Sequence, residues 1–177
     1  MNFWLILAAY EAVWFVSVIG AGHGQWWPGV LAALAFAAWR LAASAHRRVE
    51  WRLAVVALLL GLVLENLWVR FGLVEYAAPW PWAESPAWLM SLWLAFALTI
   101  VPLFGYLHAR PALAAVFGAL GGPLAYLGAA RGWHAVRLPT PMWPTLLALA
   151  AGWAIALPLF TALARRWLQS DAARSMP

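Results

Sequence analysis

The sequence predicts an all-α membrane protein, six transmembrane helices in one bundle. Three observations predict it. The 177 residues are 66% hydrophobic and only 10% charged, whereas about a quarter of an ordinary globular domain is charged. Six apolar runs recur along the chain, each near the roughly 20 residues that cross a bilayer core. Short loops carrying arginine separate them, as orientation signals do. No soluble core of this size hides so much apolar surface, so lipid is the solvent.

The first run covers residues 3–20 and ends in Gly20-Ala-Gly-His-Gly24, which is loop chemistry. It opens on Met1-Asn2-Phe3-Trp4 with no basic stretch, so it is expected to be a retained helix and not a cleaved leader. Trp26, Trp27 and Pro28 open the second run, 28–45, with proline at a favoured first-turn position. His46-Arg47-Arg48, Glu50 and Arg52 make a charged hairpin before the third run, 51–71, which contains Glu65-Asn66. A turn-rich loop at 74–85 holds Glu75, Glu84, Pro79 and Pro81, and Trp80, Trp82 and Trp88 read as an interfacial belt. Ser85-Pro86 predicts a cap and first turn for the fourth run, 86–108. Arg110-Pro111 turns into the fifth, 111–130, and Thr140-Pro141 starts the sixth, 141–166. Residues 169–177 are polar and expected to be disordered. No linker or internal repeat intervenes, so residues 1–168 form one domain.

Every basic residue is arginine, and the net charge is +5. With a cytoplasmic N-terminus, the inner segments hold Arg40, Arg47, Arg48, Arg52, Arg110, Arg165, Arg166 and Arg174. The outer ones hold Arg70, Arg131 and Arg137. This bias puts both termini inside a bacterial inner membrane and argues against a nucleic-acid partner. The absence of cysteine excludes disulfides, thiol nucleophiles and thiolate metal sites.

Runs four, five and six each contain a proline: Pro102, Pro123 and Pro158. Each frees the carbonyl four residues back, at Leu98, Ala119 and Ala154. Thr99, Thr145 and Thr161 are expected to satisfy some of these locally. The fifth run has two sides at helical spacing. Gly118, Gly121, Gly122, Ala125, Gly128 and Ala129 form a smooth stripe that suits close helix packing. Leu113, Phe117, Leu120, Leu124 and Leu127 form a bulky one that suits lipid.

The candidate chemistry begins at Glu65. A carboxylate inside a span faces protein or water and marks a functional site by default. Three readings stand open: a neutral acid bonded to backbone, an ion pair with an arginine, or an acid/base or ligand group. Asn66 is placed to brace a carboxylate or a freed carbonyl. Glu11, beside Tyr10, is a second intramembrane carboxylate at mid-helix. Around the outer end a polar set collects: His23, Gln25, Glu65, Asn66, Arg70, Tyr126, Arg131, His134 and Arg137. Arg131 closes the glycine-rich helix, where it suits pairing with Glu65, a lipid phosphate or the headgroup region. The histidines lack metal-ligand spacing, and no phosphate-binding loop or catalytic triad is present, so no metal or cofactor is expected. The fifteen tryptophans are expected mainly as interface anchors.

Gly118-Ala-Leu-Gly-Gly-Pro-Leu-Ala-Tyr126, followed by Gly128 and Arg131, resembles a family of bacterial membrane proteins catalogued as domain of unknown function 2878. Ala21-Gly-His-Gly24, Trp14-Phe15, Trp93-Leu-Ala-Phe96 with Thr99, and Trp153 with Leu157-Pro158 extend the resemblance over nearly the whole chain. It implies a carboxylate in helix three, where Glu65 stands. It also implies an Asn-His pair after the threonine of helix four. This chain has Val101-Pro102 there, so any role of that pair is not carried over.

The function expected from these residues is the binding or handling of a lipid or small apolar molecule. The site is an outward-facing intramembrane pocket holding Glu65, Asn66, Tyr126, Arg131, His23 and Glu11. One alternative is a membrane-embedded enzyme of lipid or isoprenoid metabolism with Glu65 as its catalytic acid/base. Another is a small transport subunit that docks a membrane partner, or a second copy, through Ala8 and Ala12.

Overall fold

A computed structural model of the chain describes residues 2–79 and 84–174. The chain is helical, with seven α-helices among these residues: α1 (Phe3–Gly22), α2 (Trp27–Ala43), α3 (Arg47–Arg70), α4 (Ala87–Ala97), α5 (Ile100–Leu103), α6 (Pro111–Trp133) and α7 (Trp143–Arg174). Four of them, α1, α3, α6 and α7, are long and apolar enough to cross a membrane, while α2 and α4 are shorter apolar helices. Trp80 and Trp82 of the expected belt, and the loop residue Pro81, lie outside the described residues.

Several helix boundaries follow from local chemistry. The Asn2 side chain accepts from Trp4 N at 3.1 Å and caps α1. Pro28 sits in the first turn of α2, where its missing N–H costs no hydrogen bond. Ser85 does not cap α4; its hydroxyl donates to Asn66 Oδ1 at 2.8 Å, and Pro86 takes the cap position. The stretch 169–174, expected to be disordered, continues α7 as helix.

The fourth run is not one helix. It divides into α4, the single turn α5 and a 3₁₀ turn at Gly105–Leu107. Pro102 has no N–H to return to Leu98, and its ring excludes that carbonyl, so the helix breaks at Leu98 and Thr99. The α-helix runs on through Pro123 in α6 and Pro158 in α7. The threonines do not serve the freed carbonyls. Thr99 donates to Phe96 O, Thr161 to Leu157 O and Pro158 O, and Thr145 reaches across to Leu73 O.

The helices pack with α4 at the centre. α4 packs against α1, α2 and α3, and α3 packs in turn against α7. α6 and α7 form the most extensive pair. Glycines set these approaches because each leaves room for an indole. A Cβ on Gly61 would lie 2.6 Å from the Trp93 ring, and one on Gly152 would lie 2.6 Å from Trp68. Gly122 of α6 leaves room for the Trp153 ring of α7 in the same way, and Gly118 lies against the Trp153 backbone. Trp68, Trp88 and Trp93 are therefore core residues, which corrects their reading as interface anchors. Trp4, Trp27, Trp51 and Trp143 are exposed near helix ends, as anchors are.

The small stripe of α6 divides by direction. A methyl group on Gly118 would meet the Trp153 carbonyl oxygen at 2.1 Å, whereas Gly121 has nothing within 4 Å of that position. Backbone cannot give way as a side chain does. Gly118→Ala is expected to destabilise by about 1–3 kcal/mol through overpacking, and Gly121→Ala to unfold no earlier than wild type. Thermal unfolding in detergent compares them, and equal midpoints for the two variants would refute the close α6–α7 approach. On the other side of α6, Phe117, Leu120 and Leu124 are exposed, as residues facing lipid are.

One charge of the expected hairpin, Glu50, is interior, and so is Arg40 of the second run. Arg40 at the end of α2 donates to Glu50 in the first turn of α3 at 2.5 Å, with both side chains at least 96% buried. This pair ties α2 to α3.

A short antiparallel pair closes the other end of the bundle. β1 (Glu75–Tyr76) aligns with β2 (Val136–Arg137), Glu75 opposite Arg137 and Tyr76 opposite Val136. Successive residues on a strand point to opposite faces. Glu75 accordingly points outward, where it meets Arg137 at 3.3 Å in an exposed pair. Tyr76 points inward.

Candidate functional site

The polar centre of the bundle is Glu65, which is fully buried. One turn earlier on the same face of α3, Gly61 lets the Trp93 ring lie flat against the helix. The indole Nε1 of Trp93 then donates to Glu65 Oε1 at 2.8 Å. On α6, Ala114, Gly118, Gly122 and Tyr126 recur every four residues along the buried face, so the tyrosine ends a row of small residues that pass close to α7. Its hydroxyl also donates to Glu65 Oε1. Tyr76, aimed inward by the strand pair, donates to Oε2. Burial of the Tyr76 phenol, with Tyr126 and Glu65 adjoining it, pushes its pKa well above the ordinary range, so it keeps its proton and remains a donor.

Three donors from α4, α6 and β1 thus converge on one carboxyl group of α3. Neither a backbone group nor an arginine is among these three partners; all are side-chain donors. The arginines expected nearby are placed elsewhere. Arg70 pairs with Glu84 at 3.0 Å on the surface, and Arg137 pairs with Glu75. Arg131 is exposed and borders a separate groove with His134, Arg137 and Met142. Asn66 accepts from Ser85 and does not brace Glu65. His23 is exposed, and its Nδ1 lies 2.8 Å from Ile19 O in its own helix.

A cavity of about 440 Å³ lies beside this carboxylate, between α1 and α4 on one side and α6 and α7 on the other. Tyr126 belongs to both features: it lines the cavity and holds Glu65 behind it. Trp93 does the same, stacked on Trp153 with ring centroids 4.6 Å apart and planes at 10°. The indole N–H of Trp153 is buried next to the Tyr126 hydroxyl but has no partner in hydrogen-bond geometry among the described residues. Gly121 and Ala125, from the small stripe of α6, line the opposite wall.

The cavity opens between α1 and α6. These helices touch near one end, where Trp14 and Phe15 meet Trp133 edge-on and Gly22 lies against the Trp133 carbonyl. Further along, Glu11, Phe117 and Gly121 line the cavity and are themselves exposed, so they form its mouth. Of the six expected site residues, Glu11 and Tyr126 line the cavity and Glu65 stands directly behind it. Asn66, Arg131 and His23 do not line it.

Tyr76 and Trp93 were not among the candidate site residues read from sequence. Trp93 looked like one more anchor, and Tyr76 lay in a loop whose strand pairing depends on a partner about sixty residues away. The signal available was the Gly61–Glu65 spacing, a gap followed one turn later by a polar group.

A family model described as "Protein of unknown function (DUF2878)" matches residues 3–159. The match takes in the Glu65 cluster and all the residues that line the cavity. No curated protein and no solved structure matches the chain.

Proposed function

This chain belongs to the DUF2878 family, and we propose that it binds a lipid or small apolar molecule in the cavity between α1 and α6. The observation that carries this reading is the cavity itself. Its volume of about 440 Å³ lies in the range of ligand sites, and its walls are apolar with a few polar atoms, as such sites have. A mouth between two apolar helices admits a ligand from the lipid side. Glu11 and Tyr126 are the binding groups we assign, and Glu65 positions Tyr126 and Trp93. The arginine distribution supports an inner-membrane protein of six spans, with α2 and with α4 to α5 as the shorter ones and both ends cytoplasmic.

Gly121→Leu tests this reading. The side chain projects into open space at the mouth, so it should block the cavity without disturbing helix packing. Native mass spectrometry is expected to show at least a tenfold drop in bound lipid, with the thermal midpoint unchanged. Arg131→Ala should leave occupancy as it was. Equal occupancy in wild type and Gly121→Leu rejects the cavity; loss in Arg131→Ala alone moves the site to the outer groove.

A second reading, a membrane-embedded enzyme with Glu65 as acid/base, draws support from the Glu65–Tyr126 hydrogen bond, because it links a buried carboxyl group to a residue that touches the ligand space.

A further inference from the structure

We propose that the ligand of this cavity is an apolar organic cation, an amphiphile with a quaternary or protonated amine head, held at the Glu11 end. The inference rests on the cavity reading above and specifies its chemistry. Glu11 is the only charged residue of the lining: no arginine or histidine stands among the twenty residues that border the space. It has no ion-pair partner among the described residues. A carboxylate at the middle of an apolar helix without a counter-charge is costly, and a bound cation supplies that counter-charge. The remaining wall is suited to the same guest. Nine of the twenty lining residues are aromatic, and the faces of aromatic rings attract cations, most strongly for quaternary ammonium groups caged by several rings. Tyr10 adjoins Glu11 in sequence and leans on Phe96, with centroids 6.1 Å apart. Phe96 in turn meets Phe104 at 5.8 Å and the edge of Trp153 at 5.2 Å. These rings form one connected surface reaching from the carboxylate to the stacked indoles. An anionic headgroup would find an uncompensated carboxylate there and no basic side chain.

Three probes of equal chain length separate the possibilities: decyltrimethylammonium, decanol and decanoate. Each is titrated calorimetrically into the full chain in maltoside micelles, with empty micelles as the blank. Decyltrimethylammonium is expected to bind at least tenfold tighter than decanol, and decanoate more weakly than either. Glu11→Gln should remove the preference for the cation while decanol still binds, and Glu11→Asp should retain it. Equal affinities in the wild type, or a preference for decanoate, overturn the cation while leaving the cavity reading in place. If none of the three binds above the blank, both readings fall. The wild-type comparison needs no variant, so a failure of Glu11→Gln to fold does not shield the proposal.

Discussion

Glu65→Leu is expected to lower folding stability by about 3–5 kcal/mol. The substitution removes the shared acceptor of Trp93, Tyr126 and Tyr76 and leaves their protons in the bundle interior. Each buried donor without a partner costs about 1–3 kcal/mol. Leucine fills the volume but restores none of the hydrogen bonds. Glu65→Gln should behave differently. Its oxygen takes the place that accepts from Trp93 and Tyr126, and its amide faces Tyr76, whose hydroxyl turns to accept, so the loss should stay near 1 kcal/mol. Chemical unfolding in detergent measures both variants. Wild-type stability for Glu65→Leu would refute Glu65 as the tie between α3, α4, α6 and β1. Because Glu65→Gln keeps the fold, it also separates the enzyme reading: loss of turnover in a stable Glu65→Gln protein would support acid/base chemistry.

The second large effect is expected at the other end of the bundle. Arg40→Met strands the buried carboxylate of Glu50. Removing one partner of a buried ion pair typically costs 3–5 kcal/mol, whereas replacing both partners with apolar groups is often neutral. The double variant Arg40→Met/Glu50→Met should therefore recover most of the stability lost in Arg40→Met. If the two changes simply add, the pair is not coupled and the α2–α3 tie does not depend on it. In sequence Arg40 reads as an inner orientation charge and Glu50 as a hairpin charge. Arg40 lies within the last turn of α2 and Glu50 within the first turn of α3, and the tight connection between the helices folds the two side chains inward to meet.

Most of the secondary structure was legible in the chain. Alternating apolar runs and arginine loops locate α1, α2, α3 and α6 to within a few residues, and the start of α7 but not its end, because helix length in lipid is set by bilayer thickness and hydropathy reports it directly. The fourth run shows the limit. Pro102 is plain in the sequence, but whether a proline bends a helix or ends it depends on what else can satisfy the nearby backbone. Pro123 and Pro158 lie inside continuous helix, and Pro102 lies at a break.

The candidate site was half legible. A glutamate inside a span is conspicuous, and so is a small-residue stripe that ends in a tyrosine. Nothing local, however, says which residues meet. Glu65 and Tyr126 are 61 positions apart, and Tyr76 reaches the carboxylate from a strand paired with residues some sixty positions on. The tryptophans divide on the same ground. An indole at a helix end and an indole seated in a glycine notch look alike in sequence, and only the neighbouring helix distinguishes them.

By itself, then, the sequence determined an apolar helical chain with arginines between its apolar runs and a carboxylate within the third run, since those properties follow from composition and spacing along one strand of chain. Tertiary structure decided the partners. It gave Glu65 two phenols and an indole in place of an arginine, divided the α6 stripe between packing and cavity wall, and left Glu11 at the mouth of an aromatic space. These outcomes depend on the approach of helices distant in sequence, and that approach is governed by a few glycines whose missing side chains matter only once a neighbour arrives.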